Sequence, residues 1–91
     1  MSAKYKILKK LDVRFDRYYK KHIKAKSYRS IQLWDTRMIC SSMLSTLVKA
    51  LLSDDTPRWR CDEVLRGLCY VMQDSDTDKA KAMLYILDDI L

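Results

Sequence analysis

The stretch Tyr5–Lys26, YKILKKLDVRFDRYYKKHIKAK, decides the fold class. Ile7, Leu8, Leu11, Phe15, Tyr18, Tyr19, His22 and Ile23 recur at helical spacing and fill one side of a helical wheel. Lys6, Lys9, Lys10, Arg14, Arg17, Lys20, Lys21 and Lys24 fill the other, and Val13 is the one apolar residue among them. Apolar residues at i, i+3, i+4 and i+7 with charge opposite predict an amphipathic helix over about 5–26.

Working outward, Ser27 to Trp34 reads as a connector. Asp35 then reads as the N-cap of a second helix over Thr36 to Leu52, because its short side chain can accept from a free backbone N–H of the first turn. Ile39, Cys40, Met43, Leu44, Leu47, Val48, Leu51 and Leu52 cover more than half of that helix, and Ser41, Ser42, Ser45, Thr46 and Lys49 mark its polar side. An apolar surface this wide predicts the central, most buried helix. Truncating Leu44 or Leu47 there to alanine is expected to cost about 2–5 kcal/mol.

Ser53-Asp54-Asp55-Thr56-Pro57 predicts the next boundary. Thr56 reads as the cap and Pro57 as the first helical residue, where its missing N–H costs no hydrogen bond. The third helix is expected from Pro57 to Gln73, burying Cys61, Val64, Leu65, Leu68, Cys69, Val71 and Met72. Gly67, within it, suggests a close helix crossing. Asp74-Ser75-Asp76 breaks the chain. A fourth helix follows from Thr77 to the end, with Ala80, Met83, Leu84, Leu87, Ile90 and Leu91 as its apolar stripe. Asp88 and Asp89 fall in its last turn, where the helix dipole disfavours anions. The expected architecture is all-α: one small domain over 1–91, a bundle of about four helices, with a basic first helix at 5–26 and a helical core at 36–91.

Composition agrees. The 91 residues include one Gly and one Pro, too few turn formers for a β-rich domain. Hydrophobic residues make up 48%, which excludes intrinsic disorder. No apolar run is long enough to span a bilayer, and the charged N-terminus lacks the apolar region of a secretory signal. The three cysteines, Cys40, Cys61 and Cys69, read as reduced thiols. The net charge of +6 is uneven. Residues 1–29 hold eleven Lys/Arg against two Asp, and residues 30–91 hold seven against ten Asp/Glu. A basic first third points to a polyanion, an acidic partner or internal pairing.

No catalytic constellation is found. The single histidine, His22, lies on the apolar edge of the first helix, where a structural role is the ordinary one. The cysteines match no zinc spacing, and no phosphate loop or nucleophile elbow is present. The clusters Asp54-Asp55 and Asp74/Asp76/Asp78 sit at helix starts and complete no cation loop. The chain reads as a non-enzyme without metal or cofactor.

Two features read as binding surface. One is the basic side of helix 1, represented by Lys10, Arg17 and Lys21; its lysines are not interleaved with aromatics, which disfavours base stacking. The other is Trp59, Glu63, Arg66 and Tyr70, at i, i+4, i+7 and i+11 on helix 3, away from its buried face. Aromatic and Arg side chains of that kind dominate interface energetics. Trp59, Arg66 and Tyr70, supported by Lys10, Arg17 and Lys21, are the candidate partner-binding residues.

Leu33 to Leu91 resembles the C-terminal part of paramyxovirus C proteins of the morbillivirus and henipavirus type. The resemblance rests on Leu33-Trp34, on Leu44-x-x-Leu47-Val48-Lys49, on Trp59 with Leu65 and Val71, and on Asp74 to Leu91, DSDTDKAKAMLYILDDIL, with its Ala82-Met83 pair and Ile86-Leu87 ending. A basic segment ahead of this region fits the family too. The resemblance implies a non-enzymatic, all-helical accessory protein of the host cytoplasm, and of the nucleus in some settings. It implies partners in the viral polymerase/phosphoprotein complex and in the host interferon pathway, STAT-type factors included. Regulation of viral RNA synthesis and interferon antagonism follow as expectations. It also implies an additional disordered N-terminal region in full-length members. The alternative from another class is a basic RNA-binding helical domain using helix 1. A third reading is a helical scaffold whose basic segment pairs with the acidic connection between the third and fourth helices. Either a monomer or a weak dimer is expected.

Overall fold

The computed structural model describes residues 2–73 and 77–91; the expected break at Asp74-Ser75-Asp76 lies outside them. The described residues form four helices and no strand: α1 (Ala3–Lys24), α2 (Tyr28–Leu51), α3 (Arg58–Gln73) and α4 (Asp78–Ile90). The all-α expectation holds.

α1 starts where Ser2 accepts from the Tyr5 N–H at 3.1 Å, and it stops at Ala25, whose backbone is extended. α2 begins eight residues earlier than the sequence predicted. Its cap is Ser27, which accepts from the Ser30 N–H at 3.1 Å, and not Asp35, which lies exposed within the helix. The physical reason is plain: residues 28–34 contain no Gly or Pro to interrupt a helix that Ser27 has already capped. Three residues therefore join two long antiparallel helices. Leu11 lies against Ser41, whose hydroxyl donates to the Leu11 carbonyl at 3.0 Å, and Tyr18 stacks on Trp34 at 6.0 Å between centroids. Seven residues forward on α1 match seven backward on α2, the register of an antiparallel seam.

At the third boundary Thr56 does not cap α3. Its hydroxyl turns back to accept from the Ser53 N–H at 2.9 Å and closes the Ser53–Thr56 turn. The Pro57 carbonyl instead takes the first helical bonds, from the Arg60 and Cys61 N–H groups, and the helix starts at Arg58. α3 buries Cys61 and Leu65 fully and Val64, Leu68, Cys69 and Met72 partly. Val71, expected inside, is 65% exposed because it lies round the helix from that seam. Nothing lies within 4 Å of a Cβ built on Gly67, so the expected close crossing is absent. Thr77 caps α4 as predicted, accepting from the Ala80 N–H at 3.1 Å.

The helix at the centre is α4 rather than α2. α4 and α1 each touch all three other helices, whereas α2 and α3 do not meet among the described residues, and α4 buries the larger share of its own length. Ala80, Ala82, Met83, Ile86, Leu87 and Ile90 are buried on α4. α2, although longer, buries Cys40, Ser41, Leu44 and Val48; Leu47 is only half-buried, and Ile39, Met43 and Leu51 are exposed. Ser41, read as polar surface, is fully buried and satisfied by Leu11. The molecule measures 43 × 29 × 18 Å, and its thin dimension is about two helix diameters. Such a slab leaves most helices with an open side. Phe15, Tyr19 and Ile23, read as part of the apolar face of α1, lie outside for that reason, while Ile7, Leu11 and Tyr18 form its buried seam.

Candidate interaction surfaces

The outward face of α3 carries Trp59, Glu63, Arg66 and Tyr70. Trp59 is 68% and Tyr70 74% exposed, because the helix packs through Cys61 and Leu65 on the opposite side. Glu63 pairs with Arg60 at 3.0 Å, and Asp62 with Arg58 at 3.1 Å. Arg66 has no carboxylate within 4 Å among the described residues. Arg66 and Tyr70 border a shallow groove of about 410 Å³ where α3 meets the end of α4, closed by Asp88 and Leu91. Trp59 shares their face but lies about 16 Å from Tyr70 along the axis, outside this groove. The structure therefore joins two of the three predicted α3 residues at one site and leaves the third apart.

The basic side of α1 is divided. Lys10 and Arg17 are exposed and meet no carboxylate among the described residues. Other cations of the segment are used internally. Arg14, counted with the exposed lysines, has only 17% of its side chain exposed and pairs with Asp89 in the last turn of α4. That pair offsets the unfavourable position of an anion at a helix C-terminus. Lys4 reaches Asp54 at 3.5 Å, and Lys20 reaches Asp16 at 3.0 Å.

Lys21 has a different environment. Its ammonium lies 4.6 Å from the Trp34 ring centroid. The Arg37 guanidinium lies 4.9 Å from the same ring and 4.3 Å from the ring of Tyr85 on α4. Lys21, Trp34, Arg37 and Tyr85 form a ladder of alternating cations and rings across three helices. Sequence reading missed Trp34, Arg37 and Tyr85. The available signal was the spacing Trp34, Arg37, Ser41, Leu44 and Val48, which sets an arginine within a buried seam. It also missed that α2 brings an aromatic ring to the basic flank of α1.

Two of the three thiols are enclosed, and Cys69 is half-buried. Burial pushes the Cys40 and Cys61 thiols above their ordinary range; Cys40 donates weakly to the Lys79 carbonyl at 3.4 Å and Cys61 to that of Thr56 at 3.8 Å. Burial, with Tyr85 nearby, likewise pushes the Tyr18 phenol up. His22 is half-buried on α1. No group of three or more His, Cys, Asp or Glu is placed to hold a metal ion among the described residues, and no described helix is long and apolar enough to cross a membrane.

Reversing Lys10, Arg17 and Lys21 to Glu is expected to leave the helical circular-dichroism signal intact, because all three are exposed. The cost in chemical denaturation should be about 1 kcal/mol, nearly all from the Lys21–Trp34 contact. A loss of several kcal/mol would show that this face is paired internally. No family model, curated protein or solved structure matches the chain.

Proposed function

We propose that this chain is a non-enzymatic viral accessory module of the paramyxovirus C type. It binds components of the viral polymerase complex and host interferon-pathway proteins in the host cytoplasm, and so regulates viral RNA synthesis and antagonises the interferon response. The observation that supports it best is the α3 face: two large aromatics and an arginine held in solvent on a rigid helix, with no other helix over them. A monomer does not gain stability from exposing Trp and Tyr in this way, whereas an interface does. The resemblance from Leu33 to Leu91 supplies the partner classes.

The test is a minireplicon assay and an interferon-reporter assay with the wild-type domain and with Trp59→Ala/Tyr70→Ala. The wild type should inhibit in at least one assay, and the double variant should lose that inhibition while keeping its helicity. Full activity of the double variant removes the α3 face from the mechanism. An inert wild type counts against the family reading. The second reading, RNA contact, is favoured by Lys10 and Arg17, which are exposed and meet no carboxylate among the described residues. It requires a gel shift with duplex RNA at physiological salt that the triple reversal on α1 abolishes.

A further inference from the structure

The groove between the first half of α2 and α4 shares no lining residue with the groove beside Arg66 and Tyr70. It has a volume of about 570 Å³, and Arg29, Arg37, Lys81 and Asp78 are its charged lining residues, with Tyr85 beside them. Three cations face one carboxylate, and none of the three has an ion-pair partner among the described residues. Arg37 is the unusual member. It occupies the seam of α2, three residues after Trp34 and four before the buried Ser41, where an apolar residue would normally pack. Contact with two rings from two helices holds the half-buried guanidinium in place. An arginine fixed in this way has already lost most of its side-chain freedom and still has planar N–H donors that match a carboxylate.

We propose that this groove is a receptor for an acidic segment of a protein partner, with Arg37 as the carboxylate-binding centre and Arg29 and Lys81 beside it. Charge complementarity names the occupant. Gln32 and Thr36 supply the neutral donors and acceptors that a peptide backbone needs, and Leu33 and Ala82 supply apolar contact. A nucleic acid fits less well, since base stacking needs a free aromatic face and the ring that lines the groove, Tyr85, already carries the Arg37 guanidinium. The inference does not depend on the α3 face and adds a second contact with its own partner chemistry.

The test is fluorescence anisotropy on the full chain with a labelled twelve-residue peptide alternating Glu and Ala, its Gln counterpart, and a single-stranded RNA of the same length. The Glu peptide should bind about tenfold or more tightly than the Gln peptide. Arg37→Gln should weaken it by about tenfold, and Arg37→Lys should recover only part, having lost the bidentate fork. Lys81→Gln, at an exposed position that cannot disturb folding, should weaken it by about threefold. Lys49→Glu, at an exposed site outside the groove and both other candidate surfaces, controls for the general attraction of a chain of net charge +6 and should bind as wild type at 0.15 M salt. Equal binding of the Glu and Gln peptides overturns the proposal. So does binding lost in Lys49→Glu but kept in Arg37→Gln and Lys81→Gln, or RNA bound more tightly than the Glu peptide through Arg37.

Discussion

Truncating Leu87 to alanine is expected to cost about 2–5 kcal/mol in urea denaturation, toward the upper end of that range. Leu87 has no exposed surface, and it lies on α4, which touches the other three helices and buries six of its thirteen residues. Leu87 belongs to one buried cluster drawn from all four helices, so a cavity there is not filled by the shift of a single helix. A chain of this length has a total stability of roughly 5–14 kcal/mol, so one truncation removes a large part of it. Leu51→Ala is the control. Leu51 is 56% exposed on the last turn of α2, and its loss should cost under about 1 kcal/mol. Leu47→Ala, at a half-buried site, should fall between the two. A cost below about 1 kcal/mol for Leu87→Ala would mean that α4 is not the centre of the packing.

The second large effect is expected at the α3 face. If Trp59 and Tyr70 each contribute about 2 kcal/mol as interface anchors, either alanine variant should weaken partner capture about thirtyfold. The two lie about 16 Å apart along the helix, beyond the range at which substitutions usually couple. Their effects should therefore add, to about a thousandfold in the double variant. Arg66→Ala shares the groove with Tyr70 and should be less than additive with Tyr70→Ala. Surface plasmon resonance against the captured partner measures all of these. A partner bound at full strength by the double variant uses another face.

How much of this was legible beforehand depends on the distance over which each feature is decided. Thr77 as the α4 cap, and the α4 stripe of Met83, Leu87 and Ile90, are local and were readable from spacing. The start of α2 is also local but was misread, because Asp35 looked like a cap and Ser27, an equally good one, was passed over. The central role of α4 was not readable. A helical wheel counts apolar residues without knowing how many neighbours will cover them, so α2 seemed buried all round and α1 seemed to bury Phe15 and Ile23. The exposure of Trp59, Arg66 and Tyr70 followed from their position off the seam of α3. The grouping of Arg66 and Tyr70 with Asp88 did not, since it needs the α3–α4 packing. The Arg37 ladder was the least legible feature, because its two rings come from positions fifty-one residues apart, Trp34 and Tyr85.

The thinness of the slab sets the colloidal behaviour of the molecule. Two helical layers cannot enclose a chain that is 48% hydrophobic, and Phe15, Ile23, Ile39, Met43 and Leu51 remain on its outside. These side chains draw copies together, and the net charge of +6 drives them apart over a distance that shrinks from roughly 30 Å at 0.01 M salt to about 8 Å at 0.15 M. The second virial coefficient from light scattering should therefore fall from positive toward negative as salt is added. The triple charge reversal on α1, which brings the net charge to zero, should show the negative value at low salt already. The lysines and arginines of α1 then have a duty unrelated to any ligand: they keep a molecule with an unfinished interior dispersed.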